Sequence, residues 1–131
     1  NYGIACEAML KMKEMSLSHS EAFHFMEFRH GPKSMVDEST LVVGLISEGG
    51  REQQIAVLRE MQELGATILA LADYDFGLQD FAHVVAFESG TSDWARGVLY
   101  LPVLQLMAYY RAMAKGLDPD RPTHLEAVVK L

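Results

Sequence analysis

Three ionisable residues in one short stretch offer the most direct chemistry in this chain: Glu7, Lys11 and Glu14, at spacings of four and three residues. In a helix those spacings place all three side chains on one narrow stripe. A carboxylate beside a lysine, shielded from bulk water, is a pairing that moves protons near neutral pH. The same spacing also describes a surface ion-pair ladder, worth roughly a few tenths of a kcal/mol per pair. Ile4, Ala8 and Met15 flank one edge of the stripe and Leu10 and Leu17 the other, with Lys13 the only further charge. A helix this apolar is expected to be largely buried, and buried charges need partners or a purpose. Both readings stay open on these residues alone.

His30 is the second candidate. Gly31 and Pro32 follow it directly, a tight turn that would aim the imidazole away from regular structure, and a histidine needs little tuning to act as acid or base. The simpler reading is a histidine on a surface loop. His19 and His24 lack a second ligand at metal spacing, so zinc is not expected, and His83 and His124 read as structural. No G-x-S-x-G, P-loop or G-x-G-x-x-G pattern occurs. The loop Ser47-Glu48-Gly49-Gly50 is a weak anion-binding signal, though loops that lead from a parallel strand into a helix are where such sheets hold anions.

The elements that would carry these groups follow from periodicity and punctuation. Ile4–Met15 has no Gly or Pro and reads as a helix. Ser18 and Ser20 read as caps of a restarted helix running to about Phe28, which Gly31-Pro32 then stops. Leu41–Ile46, Thr67–Leu71 and His83–Phe87 are short apolar, β-branched runs typical of strands buried on both faces. Between the first two, Glu52–Leu64 has helical apolar spacing and ends at Gly65. A long helix is expected from Trp94 to Lys115, capped by Ser92 or Asp93 and closed by Gly116, followed by an extended tail and a turn at His124–Val129. Strand, helix, strand at these lengths is a βαβ unit, so the fold class is α/β with a parallel sheet.

Composition narrows the setting. The chain has 131 residues, enough for one domain with a real core, and 50% of them are hydrophobic, which excludes a disordered chain. A net charge of −7 argues against a nucleic-acid or anionic-membrane partner, while Lys11/Lys13 and Arg29/Lys33 remain local basic spots for a small anion. The longest uncharged apolar run, Val98–Tyr110, is too short to span a bilayer and is broken by Pro102. The one cysteine, Cys6, forms no internal disulfide and points to a reducing, cytoplasmic compartment.

Several ordered segments resemble the second half of a SIS (sugar isomerase) protein of the phosphosugar isomerase and deaminase kind. Tyr2-x-Ile4-Ala5-x-Glu7-Ala8-x-Leu10-Lys11-x-Lys13-Glu14 is similar to that family's Y-x-I-A-x-E-x-A-L-K-x-K-E helix. Glu21 to Pro32 resembles its E-A…G-E-x-K-H-G-P segment, Leu101–Tyr109 its P-L-Q-L-L-A-Y helix, and Asp118-x-Asp120-x-Pro122-x-x-Leu125 its closing tail. The resemblance implies a doubly wound parallel sheet with helices on both faces, a flavodoxin-like three-layer sandwich. It implies that residues 1–131 form a single SIS domain, the C-terminal half of a longer two-SIS protein with its first strand missing.

For function, the resemblance implies an aldose–ketose sugar-phosphate isomerase or amino-sugar-phosphate isomerase/deaminase. Glu14 would shuttle a proton between C1 and C2 through an enediol-type intermediate. His30 would open the sugar ring in a neighbouring subunit's site, Lys11 would offset charge on the substrate oxygens, and Glu7 would hold Lys11. Ser47 would be the remaining hydroxyl of the phosphate loop, which reads S-x-S-G-x-T in the family but gains Glu48 and Glu52 here, fitting a half whose partner copy holds the phosphate. No metal or organic cofactor is implied. The partners would be a hexose or hexosamine phosphate and another SIS domain or homodimer mate. In glucosamine-6-phosphate synthases a tail lysine stands where this chain has Ala127. A non-catalytic sugar-phosphate sensor is the rival expectation, and a scaffolding half that only completes a dimer is a third.

Overall fold

A computed structural model describes residues 1–125 of the chain. In order, the elements are α1 (Tyr2–Ser16), α2 (Phe25–Arg29), a 3-10 turn (Pro32–Met35), β1 (Leu41–Leu45), α3 (Arg51–Glu63), β2 (Thr67–Ala72), β3 (His83–Ala86) and α4 (Asp93–Ala114). The strands make one sheet in the order β1-β2-β3, with both pairings parallel. Val43 lies opposite Leu69, and Leu71 opposite Val85.

Side chains alternate across a strand, so β2 feeds two cores. Ile68, Ala70 and Ala72 pack with Ile55, Leu58 and Met61 of α3 and with Phe25 and Phe28 of α2. Leu71 and Leu45 pack on the other side beneath Tyr100 and Leu104 of α4, with Ile4, Ala5 and Ala8 of α1 against them. Helices thus cover both faces of a parallel sheet, as the apolar, non-alternating strands imply.

Two glycines set how closely the layers approach. A Cβ on Gly44 of β1 would sit 2.6 Å from Leu58 Cδ1, and one on Gly97 of α4 would sit 2.5 Å from Ile4 Cδ1. Gly97 is therefore where α1 and α4 come together near their N-termini. At the other end, the Lys115 ammonium donates to the carbonyls of Ser16 (2.6 Å) and Leu17 (2.9 Å). The two helices run side by side in the same direction.

The segment after α1 departs from expectation. No helix restarts at Ser18 or Ser20, and α2 begins only at Phe25. Leu17 takes a left-handed conformation (φ 48°) and ends α1 with its N–H on the Lys13 carbonyl. The serine hydroxyls then bond backwards rather than forwards: Ser18 to the Ser16 carbonyl and Ser20 to the Met9 carbonyl. A hydroxyl spent on the preceding helix cannot cap a following one. His24 precedes α2 instead, its N–H donating to the Glu27 carboxylate at 3.3 Å. Ala127 and most of the turn expected from His124 to Val129 lie outside the described residues.

Candidate functional site

Helix α1 does place Glu7, Lys11 and Glu14 together. The Lys11 ammonium is 3.5 Å from Glu7 Oε1 and 3.4 Å from Glu14 Oε2. These side chains are about a third exposed in this chain, between 31% and 39%, so the expected burial of this helix does not hold: Ser16 is its one buried residue. The apolar edge formed by Ile4, Ala5 and Ala8 meets α4, which leaves the charged stripe along an open flank. Burial works to lower the Lys11 pKa, but the hydrogen bond to Glu14 and the charges of Glu7 and Glu14 outweigh it, and the pKa is raised above 10.5. Lys11 is a fixed cation between two carboxylates, suited to stabilising anionic oxygens rather than accepting a proton.

The other candidates lie elsewhere. His30 is the exposed residue that ends α2, its N–H bonded to the Glu27 carbonyl at 3.1 Å. Helix α2 packs with α3 on the sheet face opposite α1, and no bond joins His30 to Glu14 among the described residues. Ser47 follows β1, near the start of α1, where the Asn1 side chain donates to the Leu45 carbonyl at 3.1 Å. Thirteen residues of helix, about 20 Å, separate that end from Glu14. The Ser47 hydroxyl is also occupied: it accepts from Gln54 Nε2 (2.8 Å) and donates to the Gly49 carbonyl (3.2 Å). Arg29 and Lys33, expected as a basic spot, share one carboxylate, Glu60, at 2.6 and 3.6 Å.

At the carboxyl ends of the strands the structure builds a network that sequence reasoning missed. Arg96, 2% exposed, reaches Asp93 (2.7 Å), Glu48 (2.9 Å), Asp73 (3.3 Å) and the Thr91 carbonyl (2.6 Å). Asp93 accepts the Glu48 N–H through both oxygens, at 3.1 and 3.0 Å, while the buried Tyr100 hydroxyl donates to the Ile46 carbonyl at 2.7 Å. One guanidinium thus ties together the ends of all three strands and the start of α4. The signal available in the sequence was an arginine in the first turn of a mostly apolar helix, with an aspartate at the exit of β2.

Within this network the Ser89 hydroxyl, 2.6 Å from Asp73 Oδ1, is the main cause holding the Asp73 carboxyl below its ordinary value of 3.8. Burial opposes it, and the Ser89 N–H and Arg96 support it. A carboxyl whose folded pKa is depressed stabilises the fold above its unfolded pKa and loses that contribution as pH falls through the folded one. The wild-type chain is therefore expected to lose stability on acidification below about pH 4. Asp73→Asn should be less stable at pH 7 and show a flatter acid limb in urea titrations. Parallel acid limbs for the two proteins would refute the assignment.

Beside this network a shallow hollow of about 520 Å³ is lined by Glu48, Arg51, Arg59 and Phe76. Both arginines are committed there, Arg51 to the Tyr74 and Phe76 carbonyls at 2.8 Å and Arg59 to Asp80 at 3.8 Å. No helix among the described residues is long and apolar enough to cross a membrane.

A three-layer parallel α/β unit with a Glu-Lys-Glu stripe on its first helix defines a sugar-isomerase type of domain. The SIS domain family matches residues 1–114, and the chain belongs to it. It is 35% identical over 127 residues to the isomerising glutamine–fructose-6-phosphate aminotransferase of Methanosarcina acetivorans, covering 95% of this chain and 21% of that protein. The solved glucosamine-6-phosphate deaminase of Thermotoga maritima is 34% identical with a TM-score of 0.80, covering 99% of this chain and 37% of that one. The tagatose-6-phosphate ketose/aldose isomerase of Escherichia coli is 28% identical with a TM-score of 0.82, over 91% of this chain and 35% of that one. The chain thus spans about a fifth of the length of the curated relatives it matches. It is a SIS domain homologous to those of phosphosugar isomerases and deaminases.

Proposed function

We propose that this chain is the catalytic SIS half of an aldose–ketose sugar-phosphate isomerase or amino-sugar-phosphate isomerase/deaminase. The observation that carries the proposal is Lys11 held between Glu7 and Glu14 at 3.5 and 3.4 Å, in a chain whose similar proteins are named for this chemistry. The Glu14 carboxylate takes the C2 proton of the open-chain sugar. The electrons of that C–H bond form the enediol double bond while the carbonyl electrons pass to O1, which takes up a proton. The Glu14 carboxyl, whose proton exchanges with solvent, then protonates C1 as the O2 hydroxyl gives up its proton. Lys11 offsets charge on the substrate oxygens, and Glu7 fixes Lys11 in place. His30, which has no hydrogen bond or ion pair with Glu14 among the described residues, opens the ring in a neighbouring subunit's site.

The phosphate is held by a second SIS unit. The Ser47 hydroxyl, already spent, supports this reading, as does Glu52 nearby, which repels an anion, while Glu48 is paired with Arg96 at 2.9 Å. The surface for that unit is the outer side of α4, where Trp94 is 94% exposed and Val98, Leu106, Tyr110 and Met113 continue an apolar row. Leu106→Glu is expected to split the full-length protein into smaller species by light scattering while leaving this domain folded. An unchanged mass would exclude that surface.

The function is tested with the full-length protein in D₂O. Fructose-6-phosphate, glucosamine-6-phosphate and related sugar phosphates should exchange deuterium at C1 or C2 by NMR for the true substrate. Binding without exchange for every sugar tried would overturn the reading.

A further inference from the structure

His30 sits at a junction that its own backbone holds only weakly. Helix α2, which it ends, has five residues, far below the length of about 12–15 at which a helix stands by itself in water. Beyond it the chain bends at Gly31 into the four-residue 3-10 turn Pro32–Met35. The backbone bonds across the junction are all short-range. His30 N–H donates to the Glu27 carbonyl at 3.1 Å, Gly31 N–H to the Phe28 carbonyl at 3.5 Å and Ser34 N–H to the Gly31 carbonyl at 3.1 Å. Phe25 and Phe28 anchor the helix in the core, but His30 itself is exposed.

Glu60 of α3 grips this junction from outside. Its Oε1 lies 2.6 Å from Arg29 Nη2, and its Oε2 accepts from Arg29 Nε at 3.1 Å, a forked carboxylate–guanidinium pair. The same Oε2 is 3.6 Å from Lys33 Nζ. One carboxylate therefore holds the residue just before His30 and the residue three after it, on either side of the Gly31-Pro32 bend. The grip starts from a fixed element, since Val57, Leu58 and Met61 of α3 are buried against the sheet. A single exposed ion pair would contribute little. A forked pair shared with a second cation fixes direction as well as distance.

We propose that Glu60 is a positioning residue for His30, fixing the turn from which the imidazole projects. The inference rests on the reading of His30 as the ring-opening group. A group that works in a neighbouring subunit's site must be delivered from a surface turn, and a displacement of about 1 Å can cost about 10²-fold in rate. Glu60→Gln keeps the size of the side chain and one acceptor oxygen. It loses the charge on which both cations converge.

The test separates ring opening from proton transfer. The full-length protein is given fructose-6-phosphate and, separately, its 5-deoxy analogue, which lacks the hydroxyl that closes the furanose ring and stays open-chain. Deuterium exchange at C1 is followed by NMR for each. Glu60→Gln is expected to slow exchange of fructose-6-phosphate by about 10-fold and to leave that of the 5-deoxy sugar unchanged. His30→Ala should show the same pattern more strongly, while Glu14→Gln should slow both sugars. Equal loss on both sugars in Glu60→Gln would make the role of Glu60 merely structural and overturn the proposal. So would an unchanged rate on fructose-6-phosphate where His30→Ala loses it. If His30→Ala spares fructose-6-phosphate, the ring-opening reading itself fails. A second measurement needs no sugar: the ¹⁵N order parameter of the His30 amide should fall from about 0.85 in wild type toward about 0.6 in Glu60→Gln. An unchanged order parameter would overturn the proposal whatever the substrate.

Discussion

Glu14→Gln in the full-length protein is expected to lower kcat by about 10²- to 10⁴-fold, the range that a positioned acid–base group contributes. Sugar-phosphate affinity should change little. The amide keeps the size of the side chain and can still accept a hydrogen bond from Lys11, now 3.4 Å from Glu14 Oε2. What it loses is the ability to hold the C2 proton. A fall in kcat and kcat/KM together, with an unchanged Kd for a non-reacting sugar phosphate, would be the signature of a group needed only in the transition state. Turnover within tenfold of wild type would remove Glu14 from the base position. Loss of binding with little loss of kcat would leave it a binding residue only.

Arg96→Ala carries the largest expected effect on stability, about 3–5 kcal/mol, because it takes one partner out of a buried ion network and leaves the others uncompensated. Arg96 joins Glu48 beyond β1, Asp73 beyond β2 and Asp93 at the start of α4, so its removal unties the strand ends rather than one contact. Its Nε has no partner among the described residues, so the guanidinium already bears some desolvation cost and the network is not ideally satisfied. The effect is read from the urea midpoint at constant m-value. In a double-mutant cycle, Asp73→Asn should cost much less in the Arg96→Ala background than in wild type. A midpoint shift equivalent to less than about 1 kcal/mol would place Arg96 with ordinary surface pairs.

Much of the molecule was legible in its residues. Short β-branched runs at Leu41, Thr67 and His83, separated by helical spacing, require a parallel sheet because each is apolar on both faces. The 4-then-3 spacing of Glu7, Lys11 and Glu14 needs only helix geometry, and the structure reproduces it. The serines after α1 misled because a hydroxyl can bond the helix behind it as well as cap one ahead, and local sequence does not choose between them.

The sequence by itself therefore determined the local and periodic features: the strands, the long helices, the charged stripe and the resemblance that names the family. The tertiary structure alone decided that Arg96 gathers carboxylates from positions 48, 73 and 93, that α1 and α2 pack against opposite faces of one sheet, and that β1 ends that sheet among the described residues. The reason is physical. Helix and strand periods act over a few residues and leave a repeating trace in the chain. Contacts between groups tens of residues apart depend on which layers meet, and no period of the sequence records that.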